Sequence, residues 1–180
     1  MAVVNNASTN YALFYNIVDF FGTIMNNHPS IAKVTYGDMY EIDTTEFPAY
    51  PLGNLIITNA RFEDKTIVLN VTLTIADKIK DKNNESVGEK NAQRIPFYGT
   101  DDTMDIHANT LSILNDLLAY TDYGVNAFNF RSAPNAMAFK DTLDNGLAGW
   151  TCSFDLEAFN ANDRCLFNLD GTGQNGVDLC

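Results

Sequence analysis

Positive charge is the scarcest property of this sequence: 11 Lys and Arg stand against 23 Asp and Glu, a formal net charge of -12. Nucleic-acid affinity comes from cations that displace counterions from phosphates, and no basic run interrupts the acidic background. That balance argues against sequence-specific DNA or RNA binding, and equally against attachment to an anionic membrane surface. An acidic wall around a DNA passage is a separate case, because repulsion there keeps the DNA from sticking. Long apolar runs are absent too, and none approaches the ~20 residues that a bilayer span needs.

Cysteine and histidine are equally sparse. The three cysteines Cys152, Cys165 and Cys180 form no C-x-x-C pair, and a secreted disulfide scaffold carries an even, denser set. They read as free thiols in a reducing compartment. The opening Met-Ala-Val-Val-Asn-Asn lacks the basic and apolar regions of a signal peptide. With only two histidines, His28 and His107, and neither G-x-S-x-G nor a Cys-His signature, a nucleophile–base–acid arrangement has little to draw on. Asp101-Asp102 and Glu63-Asp64 are paired carboxylates, but a helix cap and a hairpin turn account for them without chemistry. The glycine-rich run from Asp170 to Asp178 lacks the alternating acids of a calcium loop and the lysine of a phosphate loop. The expectation is no catalytic residue, no metal and no cofactor.

Apolar material is plentiful: hydrophobic residues make up 46% of the 180, enough for the core of a single domain spanning 1–180. Residues 9–27 predict a helix, with Tyr11, Phe14, Val18, Phe21 and Met25 on one face and Ser8 or Thr9 as cap. Leu13, Ile17, Phe20 and Ile24 widen that stripe, so the helix is either deep in the core or shared with another molecule. Strands are expected over 31–43, with a turn at Gly37-Asp38, over 55–62 and over 67–76. In the last of these Ile67, Leu69, Val71, Leu73 and Ile75 alternate with Val68, Asn70, Thr72, Thr74 and Ala76. Asp64-Lys65 joins the second and third as a long hairpin.

Residues 77–100 turn abruptly polar and read as a long loop or arm. Asp101 or Asp102 then caps a second helix to about Tyr123, ended by Gly124. Residues 125–131 are a further strand candidate, and 134–145 read as irregular or partly helical. Along 147–159 Trp150, Cys152, Phe154 and Leu156 point one way and Thr151, Ser153, Asp155 and Glu157 the other. The tail 160–180 reads as irregular. This order predicts an α+β fold, a mainly antiparallel sheet with the two helices packed on one face. Candidate interface residues are aromatics beside loops and strand ends: Tyr40, Phe47, Tyr50, Phe97 and Tyr98, with Tyr36 in the same group.

Several stretches carry a resemblance. The run His28-Pro29-Ser30-Ile31-Ala32-Lys33-Val34-Thr35-Tyr36-Gly37-Asp38, the Tyr50-Pro51-Leu52 step and the hairpin ending Ala76-Asp77 resemble tail-completion or tail-terminator proteins of tailed bacteriophages. The helix around 110–118, the Leu147-Ala148-Gly149-Trp150 opening and Cys165 are similar as well, so the resemblance covers about residues 11–165. These motifs mark fold and packing, and segments 77–100 and 160–180 depart most from the pattern. The resemblance implies a virion protein, assembled in the host cytoplasm, that forms a homo-oligomeric ring at the head-proximal end of a tail. Such a ring stops tail-tube polymerisation and joins the tail to the neck, so its partners are tail-tube and neck or connector proteins. It implies no catalytic residue. A head–tail connector or stopper ring, which binds portal surfaces, is the alternative reading, and an enzyme of another kind is a third.

Overall fold

Among the described residues, two helices and six strands form in the order α1 (Thr9–Asn27), β1 (Lys33–Tyr36), β2 (Leu52–Phe62), β3 (Thr66–Lys78), α2 (Thr103–Gly124), β4 (Asn129–Phe130), β5 (Asn135–Lys140) and β6 (Leu147–Phe159). The structure is a computed structural model that describes residues 9–38, 49–63, 66–80, 101–124, 129–140 and 146–159. The fold is α+β, with both helices packed against one mixed sheet.

The sheet grows from its most regular sequence. β3 and β6 pair antiparallel from Thr66↔Phe159 to Lys78↔Leu147 without a break. Strict alternation therefore places Leu69, Val71, Leu73 and Ile75 beside Leu156, Phe154, Cys152 and Trp150 on one face. All of these join one core with Ile17, Phe21 and Met25 of α1 and Ile113, Leu114 and Leu117 of α2. Phe154 is the hub of the core's aromatics, with its ring 5.8 Å from Phe21 and 5.1 Å from Phe130 between centroids. Each fully buried Leu, Ile, Val or Phe there contributes about 1.5–3 kcal/mol.

The hairpin expected around Asp64 forms, with β2 antiparallel to β3 and a bulge between Ile57 and Asn59. Thr58, the extra residue, donates its hydroxyl to Asn70 Oδ1 at 2.7 Å. Two expectations need correction. β1 runs parallel to β2, from Lys33↔Leu52 to Tyr36↔Leu55, where short connections had suggested antiparallel neighbours. Gly37, at φ 112, ends β1 in a conformation that favours glycine, and residues 39–48 that follow lie outside the described ones. The second correction is at 134–145, expected to be irregular or partly helical. Residues 135–140 are instead strand β5, paired with β6 from Asn135↔Ser153 to Lys140↔Ala148. β4 pairs with the same edge of β6 at Glu157 and Leu156.

The face turned away from the helices is only partly open. Its centre carries cross-strand polar pairs: Asn70 Nδ2 to Asp155 Oδ1 at 2.9 Å, Thr72 with Ser153 at 2.8 Å, and Thr74 with Thr151 at 3.0 Å. Toward the Leu52 end, however, Leu52, Asn54, Thr74, Ala76 and Leu147 are buried on that same face. A simple apolar-in, polar-out alternation had left it to solvent.

Both helices begin and end where the local chemistry dictates. The Asp102 carbonyl accepts the first helical bond of α2 from Ile106 N–H, and Asp101 Oδ1 accepts from Thr103 N–H at 3.1 Å. At the other helix, His28-Pro29 follows the last residue of α1, since the position before a proline is pushed out of helical conformation.

Candidate functional site

The two histidines occupy unlike places. His107 Nε2 donates to the Phe139 carbonyl at 2.9 Å, and Trp150 Nε1 donates to the His107 carbonyl at 2.9 Å. The imidazole and the indole meet edge-on at 6.0 Å. His107 thus ties the first turns of α2 to β5 and β6, a packing role. His28 instead closes the end of α1, where Ser30 N–H donates to its Nδ1 at 3.2 Å. That bond leaves Nε2 as the protonated nitrogen, and it faces Asp116 Oδ2 of α2 at 3.6 Å.

Around this pair lies a groove of about 420 Å³ between the helices. It lies between α1, which packs over β1 and β2, and α2, which packs over β3 and β6. Ile24 and Pro29 form one wall, Leu117 and Tyr120 the other. Cys152 is not part of it: the thiol lies in the sheet core, where burial pushes its pKa up. The groove was not read from the sequence. Asp116 and Tyr120 stand one helical turn apart on a polar flank of α2, the only sign of it, and nothing local shows that His28 faces them.

At the Leu52 end of the sheet a charged cluster fastens α2. Asp101 Oδ2 pairs with Lys140 Nζ at 2.6 Å, and Asp102 Oδ1 accepts from Lys80 N–H at 2.7 Å. The Lys140 ammonium, helped by the Thr103 backbone N–H, holds the Asp101 carboxyl down at about 2. Asp77 nearby shifts the other way, raised by burial. Among the described residues no group of three or more His, Cys, Asp or Glu is arranged to hold a metal ion, and no helix is long and apolar enough to cross a membrane.

Of the aromatics singled out in the sequence, Tyr36 and Tyr50 lie within the described residues; Tyr40, Phe47, Phe97 and Tyr98 lie outside them. Tyr50 is half-buried, and burial and then the Asp77 carboxylate raise its phenol. Tyr36 is among the exposed apolar side chains, and the rest of these were not singled out. At the β1 edge Tyr15 and Tyr36 are about half exposed and meet Phe14 edge-on, at 6.0 and 6.3 Å. At the opposite edge Met137 of β5 is 68% exposed. Met104 and Leu111 of α2 are also exposed, on the flank that carries His107 towards β5. The two edges thus carry unlike exposed side chains: Tyr15 and Tyr36 at β1, and Met137 with Met104 and Leu111 on either side of β5, since Met137 projects from the face turned away from the helices. Phe62, at the end of β2, is as exposed as Met137.

No family model and no curated protein matches this chain.

Proposed function

We propose that the chain is a structural subunit of a tailed-phage virion, forming a ring at the head-proximal end of the tail that ends the tube and joins it to the neck. The observation that carries this reading is the pair of unlike apolar rims on opposite edges of one sheet. A closed cyclic ring is built from head-to-tail contacts, which need two different complementary patches on each subunit. Tyr15 and Tyr36 beside Phe14 at one edge, and Met137 with Met104 and Leu111 at the other, offer two different patches for such a contact. The resemblance at 28–38, 147–150 and the hairpin supports the same reading. The charge of -12 also fits, since an acidic lumen repels passing DNA.

Electron microscopy of particles assembled without this chain tests it. Tails of uneven length, detached from heads, are the expected product. Tails of normal length joined normally to heads would overturn the reading. Tubes of normal length that fail only at the portal side would favour the connector alternative.

A further inference from the structure

The groove between α1 and α2 is unlike either rim. Its walls are apolar, from Ile24, Pro29, Leu117 and the Tyr120 ring, and its volume of about 420 Å³ falls in the ~300–1,000 Å³ range of cavities that take ligands. Its exposed charge is a carboxylate: the Asp116 side chain is 60% accessible, while His28 beside it is largely covered. Ser30 N–H donates to His28 Nδ1, and Nε2 on the other side of the ring lies 3.6 Å from the Asp116 carboxylate.

We propose that this groove seats an amphipathic segment of a different protein, with a bulky apolar side chain between Ile24 and Leu117 and a Lys or Arg on Asp116. Charge selects the occupant. A carboxylate at the rim of a chain with net charge -12 attracts a cation and repels an anion, and a second copy brings the same negative excess. Helix-in-groove recognition uses this combination of apolar anchors and a flanking charge. If the ring reading above holds, the segment belongs to a tail-tube or neck protein, and only that assignment depends on it.

The test uses the full chain and a defined probe: a short amphipathic peptide with Leu at i and i+4 and Arg one turn further, titrated by calorimetry and amide NMR. A second peptide with Glu in place of Arg is the control for charge. Asp116→Asn and Tyr120→Ala remove exposed groove groups without touching the core. Asp19→Asn makes the same charge change at an exposed position of α1 outside the groove.

The Arg peptide is expected to saturate, with shifts confined to residues 23–28 and 116–120. Asp116→Asn should weaken it roughly tenfold, the loss of one charge-assisted bond; Tyr120→Ala should also weaken it, Asp19→Asn should leave it unchanged, and the Glu peptide should not bind. Shifts spread over the acidic surface, or equal weakening by Asp19→Asn, would overturn the proposal. So would the same groove shifts appearing on concentrating the protein alone, since the occupant would then be a second copy. Because the probe involves no virion component, groove binding and the ring reading stand or fall separately.

Discussion

Asp77 and Asp101 lie at the same end of the sheet, yet their carboxyls shift in opposite directions, and the signs predict opposite mutant behaviour. Asp101 is depressed to about 2 by Lys140 and Thr103. Its contribution to stability is complete above the ordinary value of 3.8 and disappears as pH falls through about 2. Asp77 is raised by burial, so its ionised form costs stability above its raised pKa, and the cost vanishes as pH falls below 3.8. Asp101→Asn should therefore lower the urea midpoint at neutral pH, with the deficit shrinking below pH 3.8. Asp77→Asn should raise the midpoint at neutral pH, with the gain fading as the solution is acidified. Curves of midpoint against pH that run parallel to wild type for both variants would contradict these signs. Gly149 makes a different point, about space. A Cβ there would run into the Ile75 carbonyl oxygen and come within 2.9 Å of the Ala76 Cα, and neither backbone atom can rotate aside. Gly149→Ala should force β3 and β6 apart and cost about 3 kcal/mol or more, measured by denaturant unfolding. Leu73, fully buried at the centre of the core face, should not tolerate a charge. Leu73→Asp should cost several kcal/mol, or abolish folding, with loss of the cooperative unfolding transition as the readout.

Elements whose burial is one-sided and regular were legible before any coordinates. α1 spans the residues its three- and four-residue spacings indicate. β3 and β6 put Leu69, Val71, Leu73, Ile75, Cys152, Phe154 and Leu156 on the core face as their alternation indicates, although Thr74, Ala76 and Leu147 are buried on the other face. β5 was not legible, because its pattern is inverted. The short Ala136 and Ala138 share the core face with Cys152 and Trp150, while the larger Met137 and Phe139 take the other face. Hydrophobic size thus points away from the core in that strand. The direction of β1 was hidden for another reason: parallel pairing is decided by the path of the connecting chain, which no local spacing reports. The candidate site was less legible still. Ile24 and His28 come from α1 and the residue after it, Asp116 and Tyr120 from α2 far along the chain, and no local spacing reports that they meet. At the His107 end of α2, the bonds to Phe139 and from Trp150 assign a fastening role to the histidine. His107→Gln keeps a side-chain donor for the Phe139 carbonyl, so it should lower stability by no more than about 1 kcal/mol and leave assembly intact. Loss of function in folded, assembled His107→Gln protein would return attention to catalysis.

At the scale of the whole molecule, the helical layer, the two sheet edges and the acidic surface offer separate surfaces for separate contacts. Both helices lie on one face, so each edge of the sheet is flanked by a different helix: α1 beside β1, α2 beside β5. This asymmetry gives the subunit two unlike edges, and the proposed ring requires both that they fit and that the rotation between neighbours closes, because a head-to-tail contact that does not close runs on as a filament. In the proposed ring the groove between the helices is free for the further contact proposed for it. The most direct measurement of the central claim is averaged electron density of the native particle at the neck. The account predicts several copies of this chain in one symmetric layer, with the Tyr15 and Tyr36 rim of each subunit against the Met137 and Leu111 rim of the next. A single copy outside any symmetric layer, or a ring in which both rims face solvent, would contradict it.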